Sequence, residues 1–113
     1  MRVWVFTESG FVSVVRHHSE AGKLVVRARD HQSLEGLANA IGLDIEPTPG
    51  SDYPYRTVTD DSAFATWLSK QVMRIDYTNY KDRMEVARGH DFAGALLGVW
   101  STMRQVEDSE ARI

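Results

Sequence analysis

The sequence predicts an α+β fold in which an antiparallel β-meander comes before the helices. Short runs of β-branched and aromatic residues, separated by turn residues, occupy the first quarter of the chain. The hydrophobic period then changes to that of a helix, and the last half of the chain repeats this helical period. Strands placed early and helices placed late favour two layers, with the helices packed on one face of the sheet.

The length of the chain limits the number of domains. A chain of 113 residues buries roughly two-thirds of its unfolded surface, which supports one hydrophobic core. We therefore expect a single α+β domain over residues 1–106 that unfolds in one transition, and a polar, frayed C-terminal tail over residues 107–113.

Three strands are expected at the N-terminus. Residues 3–6 and 11–15 flank a Gly-containing turn at 8–10, a pattern typical of a β-hairpin. After a polar break at 18–22, residues 24–29 form the next β-branched run. Such a meander needs no crossover connection, because consecutive antiparallel strands can be joined by tight turns.

One helix follows the meander. Its apolar residues share one helical face: Leu34, Leu37, Ala38 and Ile41. Asp30 or Ser33 can cap its start, and Gly42 suits the left-handed position at its end.

A connector and a further strand come next. Residues 44–51 are rich in turn formers and could begin with a short strand at Ile45. Residues 53–59 predict an edge strand or hairpin. Because Pro54 has no N–H to donate, this strand starts late or lies at an edge.

Two to three helices are expected in the second half. Residues 60–62 start the first, whose stripe runs from Phe64 through Trp67 to Ile75. Residues 81–87 predict a short helix, and Asp91 can cap a last one. The apolar side of that last helix consists of Phe92, Leu96, Val99, Trp100, Met103 and Val106. Both Trp67 and Trp100 are expected to be buried.

Five stretches of the chain, taken together, resemble a family of short, functionally uncharacterised proteins of bacteria and bacteriophages. They are GFVSVV at 10–15, LVVRAR at 24–29, DYPYR at 52–56, IDYTNYK at 75–81 and VWSTM at 99–103. The resemblance implies a complete natural protein. It brings no activity, substrate or site residue.

Composition excludes several classes of site. The chain has no cysteine, which rules out disulfides, thiolate zinc sites and cysteine nucleophiles. The serines lie in no nucleophile motif, and no Gly-rich phosphate loop is present. His17 and His18 are expected on a strand, where neighbours point to opposite faces and cannot share a metal. No catalytic residue, metal site or cofactor is predicted, so an enzyme is the third choice of function.

The N-terminus and the hydropathy predict a cytoplasmic protein. Residues 3–6 are too short a run for a signal peptide, and no run approaches the ~18 apolar residues of a membrane span. We expect no membrane partner, and the host cytoplasm as the location if a phage encodes the chain.

Charge is unevenly distributed along the chain, although the net charge is only −3. Residues 1–29 hold five bases and two acids, a net of +3, whereas residues 30–61 hold one base and seven acids, a net of −6. Dedicated nucleic-acid binders are usually basic overall, so this balance argues mildly against that role.

The third strand carries the main candidate site. Leu24, Val26 and Ala28 share the expected core face, which leaves Arg27 and Arg29 together on the other face. Arg56 and Tyr55 of the later strand could join them. One interpretation is a solvated face that forms ion pairs with the acidic middle segment; the other is a site for an anion or an acidic partner.

Two weaker candidates lie in the second half. A polar-aromatic segment is either a helix connector or a recognition loop; its residues are Asp76, Tyr77, Asn79, Tyr80 and Lys81. Small residues on the last helix indicate either close packing within the chain or self-association; they are Gly94, Gly98 and Ser101, with Leu97 beside them.

These observations favour a non-enzymatic interaction protein, such as a phage or bacterial accessory protein, whose basic sheet face binds an acidic protein partner. The alternative is a nucleic-acid-binding module that uses the sheet arginines and aromatic residues. A homodimer is possible in either case.

Overall fold

A computed structural model of the protein describes the backbone of residues 1–75 and 80–111, and the side chains of residues 1–75 and 83–107. The chain divides into two compact units, Met1–Asp76 and Tyr77–Ile113. Each is described by itself. The single cooperative domain expected over residues 1–106 stays a prediction.

The first unit contains five strands and two helices. Their order is β1 (Val3–Thr7), β2 (Gly10–Arg16), β3 (Lys23–Ala28), α1 (Gln32–Ile41), β4 (Glu46–Pro47), β5 (Tyr55–Asp60) and α2 (Asp61–Met73). The second unit contains α3 (Tyr80–Arg88) and α4 (His90–Ala111). The α+β class and the initial antiparallel meander are confirmed.

The five strands form one sheet in the order β1-β2-β3-β5-β4, and every neighbouring pair is antiparallel. β5 starts directly after Pro54, as the missing N–H of that residue predicts. β5 is nevertheless not an edge strand, because it pairs with β3 on one side and forms a hairpin with the two-residue β4 on the other.

The core lies between one face of the sheet and the helices α1 and α2. Its buried members are Val12, Val14, Val26, Ala28, Leu34, Leu37, Phe64 and Trp67. Val26 and Ala28 are fully buried, as the alternation of β3 predicts. Burying a side chain of this size contributes on the order of 1.5–3 kcal/mol, so this layer accounts for most of the apolar stabilisation of the unit.

Polar residues fix the position of α1 on the sheet. The Asp30 carboxylate accepts a hydrogen bond from the N–H of Ser33 at 3.3 Å and so caps the first turn. The buried Ser33 hydroxyl accepts a hydrogen bond from the N–H of Phe11 in β2, also at 3.3 Å. At the other end, Gly42 has φ 69° and ψ 45°, the left-handed conformation expected from its sequence position.

α2 buries only the first part of its expected apolar stripe. Phe64 and Trp67 are buried and contact each other with ring centroids 5.8 Å apart. The helix ends at Met73, so Ile75 lies beyond it and is 76% exposed. The stripe predicted to reach Ile75 is therefore too long, since its apolar members after Leu68, Val72 and Ile75, are both exposed.

The second unit consists of α3 and α4, which meet at Gly89. This residue has φ +93°, a conformation that glycine adopts without strain, and it breaks the helix where the sequence predicts. Met84 and Ala93 are buried next to this corner. α4 continues through Ala111, beyond Val106, where the tail was expected to begin fraying.

The predicted burial of Trp100 is wrong, since this side chain is 60% exposed. Helix length gives the reason within this unit. With a rise of 1.5 Å per residue, the 22 residues of α4 span about 33 Å and the 9 residues of α3 only about 14 Å. α3 is too short to cover the apolar side of α4 along its whole length.

Replacing Trp67 and replacing Trp100 should therefore have different effects on the free energy of unfolding. We expect Trp67→Ala to lower the free energy of unfolding of the first unit by ~3–5 kcal/mol, because it empties a core site. Trp100→Ala, its matched control, should change the unfolding free energy by less than ~1 kcal/mol in a monomer. Denaturant unfolding followed by circular dichroism measures both. Equal losses in the two variants would contradict this assignment of the core.

Candidate binding face of the sheet

The register aligns the candidate arginines with an aromatic group on the face opposite the core. Trp4 pairs with Ser13, Ser13 with Arg27, and Arg27 with Arg56, so these residues form one row across four strands. We call this side of the sheet the outer face. The same side also carries Val15, Val25 and Val58; the residues that form the candidate site are Trp4, Phe6, Phe11, Ser13, Arg27, Arg29, Tyr53 and Arg56.

The β1–β2 end of the outer face is aromatic. Phe6 stacks on Phe11 with centroids 4.7 Å apart, and Trp4 meets the edge of Phe11 at 5.8 Å. Trp4 remains 59% exposed. Large exposed rings held by their neighbours provide apolar contact area with little loss of side-chain freedom on binding.

The centre of the outer face holds two arginines against one tyrosine. The guanidinium carbons of Arg27 and Arg29 lie 4.6 Å and 4.9 Å from the Tyr53 ring centroid, which is cation–π distance. Arg27 also donates to the Ser13 hydroxyl at 2.8 Å, and Arg29 donates to the Asp52 carbonyl at 3.0 Å. Tyr53 is only 7% exposed. We call Arg27, Tyr53 and Arg29 the arginine–tyrosine cluster.

Not every hydrogen-bond donor and charge of the arginine–tyrosine cluster has a partner within the described residues. The Arg27 Nε is buried, and it has no hydrogen-bond partner among the described residues. Neither Arg27 nor Arg29 forms an ion pair within the described part of the chain. Both guanidinium groups therefore keep donors and charge that a carboxylate could use.

Tyr55 does not belong to the outer face, although the sequence suggested it beside Arg56. It pairs with Ala28 and packs against the core, because neighbours in a strand point to opposite faces. Tyr53, which was not singled out as a site residue, takes its place. The predicted strand 53–59 included Tyr53, and alternation there would put it on the face of Tyr55. The strand begins only at Tyr55, so this alternation does not extend to Tyr53.

Three other cations of the first unit pair with the acidic middle segment. Arg56 contacts Glu46 at 3.3 Å at the sheet edge. Lys23 contacts Asp60 at 2.6 Å, and Arg16 contacts Asp61 at 2.7 Å. Internal neutralisation, one of the two interpretations of the charge pattern, accounts for these three cations. Arg56 thus contributes little free charge to the outer face.

Two of these pairs shift the pKa of a member. The hydrogen bond from Arg16 holds the pKa of Asp61 below 3.8, against the smaller opposing effect of desolvation. The hydrogen bond to Asp60 raises the pKa of Lys23 above 10.5. Both groups are solvent-exposed, so salt screens these interactions.

The weaker candidates are only partly covered by the described residues. Asp76, Tyr77 and Asn79 lie outside them, and the side chains of Tyr80 and Lys81, at the start of α3, are not described. On α4, Gly94, Leu97, Gly98 and Ser101 are exposed. Added Cβ atoms at the two glycines would meet nothing within 4 Å. Close packing at these glycines is therefore wrong for the described part of the chain, and self-association stays a prediction.

The histidines adopt a different arrangement from the one expected. β2 ends at Arg16, so His17 and His18 lie in the following turn, where their rings stack 4.9 Å apart. His17 Nδ1 accepts hydrogen bonds from the N–H groups of Ser19 and Glu20 at 3.2 Å and 3.0 Å. His17 therefore stabilises the turn. The side chains described form no group of three or more metal-ligating residues.

In the described part of the chain, no helix combines the length and the apolar character that crossing a bilayer requires.

The ion pair between Arg16 and Asp61 predicts how the stability of the fold changes at acid pH. Because the folded pKa of Asp61 is depressed, the pair stabilises the fold above pH 3.8 and loses this effect as pH falls through the folded pKa. Arg16→Gln should move the Asp61 pKa up toward 3.8 and reduce stability fully above that pH and progressively less below it. NMR titration of the carboxyl carbon measures the pKa, and Arg56→Gln is the control that should leave it unchanged. An unaltered Asp61 pKa in Arg16→Gln would contradict the contact.

No protein-family model matches the chain, and neither a curated protein nor a solved structure matches it.

Proposed function

We propose that the protein is a non-catalytic binding module whose outer face binds an acidic polypeptide segment. The observation that carries the proposal is the arginine–tyrosine cluster: two cations without a carboxylate partner in the described residues, beside exposed aromatic rings. Tryptophan, tyrosine and arginine are the residues that most often dominate binding energy at protein interfaces.

The spacing of the face fits an extended segment. Adjacent strands lie about 4.8 Å apart, so Trp4 on β1 and Arg27 on β3 are about 10 Å apart across the sheet. Three to four residues of extended chain cover roughly this distance. A partner with an apolar side chain over Trp4 and a glutamate two or four residues away, on the same face of the extended chain, could engage both Trp4 and Arg27.

Charge favours a polypeptide over a nucleic acid as the ligand. Nucleic-acid affinity comes largely from several phosphate contacts. Three of the cations of the first unit are already paired with carboxylates, and the whole chain has a net charge of −3. The exposed ring of Trp4 is the one observation that favours single-stranded nucleic acid, through base stacking.

Of the two arginines in the cluster, Arg29 is the better one to replace in a test of binding. Arg27 is half-buried and bonded to Ser13, so its replacement would disturb the sheet itself. Arg29 is exposed and donates to a backbone carbonyl besides its cation–π contact with Tyr53, so Arg29→Glu should lower stability by no more than ~1–2 kcal/mol. Lys70→Glu, on the exposed side of α2, is the charge-matched control.

The test measures binding by isothermal titration calorimetry, which does not depend on the tryptophan that one variant removes. The probes are synthetic peptides that combine glutamates with one aromatic or aliphatic residue, a scrambled neutral peptide, and oligo(dT). We expect saturable binding of acidic peptides, weakened at least about tenfold by Arg29→Glu and by Trp4→Ala and unaffected by Lys70→Glu. Binding of oligo(dT) alone, with a steep salt dependence, would select the nucleic-acid alternative. Binding of acidic peptides that Arg29→Glu leaves unchanged would remove the outer face as the site.

A further inference from the structure

The second unit exposes an apolar stripe along most of α4. Val99, Trp100, Met103 and Val106 are all exposed, and Leu96 at the start of the stripe is half-buried. The stripe is therefore a continuous apolar surface on one side of the helix, away from Gly94 and Gly98.

The spacing of this stripe is that of a coiled-coil seam. From Phe92 the apolar residues follow at intervals of four, three, four and three residues: Leu96, Val99, Met103 and Val106. Two apolar residues in every seven form a seam that faces one partner helix, with Leu96 and Met103 at a and Phe92, Val99 and Val106 at d. Trp100 then stands at the flanking e position. A helix with this repeat pairs best with another that has the same repeat.

The charges around the stripe are compatible with pairing between α4 and the same helix of a second copy of the chain. Between Phe92 and Val106 the only charged residue is Arg104, which lies at b, off the seam. Two identical helices can therefore approach without placing like charges opposite each other.

The C-terminal segment selects the direction of pairing. Residues 107–113 contain three acids and one base, a net of −2. Parallel helices would bring two such acidic ends together, whereas antiparallel helices separate them and align their dipoles favourably.

We infer that α4 pairs antiparallel with α4 of a second copy of this chain, through the seam Leu96, Val99, Met103 and Val106. In this arrangement Leu96 faces Val106 of the second copy and Val99 faces its Met103. The two Trp100 rings lie beside the centre of the contact and become shielded. The seam replaces the glycine face as the self-association surface, because Gly94 and Gly98 fall at the outward positions f and c.

Two glutamate variants of the full chain test which face is used. Met103→Glu places a carboxylate in the seam, where the dimer would bury two unpaired charges, so the dissociation constant should rise at least about a hundredfold. Ser101→Glu adds the same group at f, beside Gly94 and Gly98, and should leave the dimer intact. Sedimentation equilibrium measures the dissociation constants. A dimer broken by Ser101→Glu and not by Met103→Glu would assign self-association to the glycine face and overturn the seam.

Cysteine pairing tests the direction, since the chain has no native cysteine. Leu96→Cys and Val106→Cys variants, mixed in one sample, should form a disulfide between the two variants. Each alone should crosslink poorly, because like positions lie about 15 Å apart along an antiparallel pair. Efficient crosslinking of Leu96→Cys with itself would indicate a parallel pair and contradict the proposal.

The wild-type chain supplies the remaining decisive result. Its association can be followed in a Trp4→Phe variant, in which the buried Trp67 gives a constant signal and the emission of Trp100 should shift to the blue with increasing concentration in step with dimer formation. A chain that stays monomeric at high micromolar concentration overturns the proposal, whether Trp100 is then exposed or is shielded by its own chain.

Discussion

Both faces of the first unit depend on the central strand β3, which is hydrogen-bonded to β2 on one side and to β5 on the other. Its register is fixed from both edges, so a slip by one residue would turn Val26 and Ala28 out of the core and Arg27 into it. Burying an unpaired guanidinium is far more costly than exposing an alanine. The pairing that builds the core therefore also sets the row of side chains on the outer face.

The parts of the fold that follow from local rules were predictable from the sequence. Hairpin chemistry located β1 and β2, alternation assigned the faces of β3, and Gly42 and Gly89 marked helix ends because a positive φ suits glycine. Trp100 was misplaced for a different reason. A helical stripe shows that a partner surface exists, but it does not show which chain supplies that surface, and α3 is too short to do so.

The candidate site was less predictable because it depends on contacts between distant segments. Arg27 and Arg29 could be placed on one face from β3 alone. The neutralisation of Arg56 by Glu46 depends on the β4–β5 hairpin. The packing of Tyr53 against both arginines depends on the loop before Pro54. Tyr53 gains burial under two guanidinium groups that remain charged, an arrangement in which each cation–π contact contributes on the order of 0.5–2 kcal/mol.

β1 has a consequence for how the native protein behaves at high concentration. Among the described strands it pairs with β2 alone, and its five residues, VWVFT, contain no charge and no proline. Natural sheets usually protect such a boundary with lysines, proline or a bulge. The backbone N–H and C=O groups on the unpaired side of β1 can instead form hydrogen bonds with strands of other molecules, and no unfolding is required. Fibrillar aggregation of this protein should accordingly begin from the folded state, and Val3→Lys, at an exposed position of β1, should suppress it.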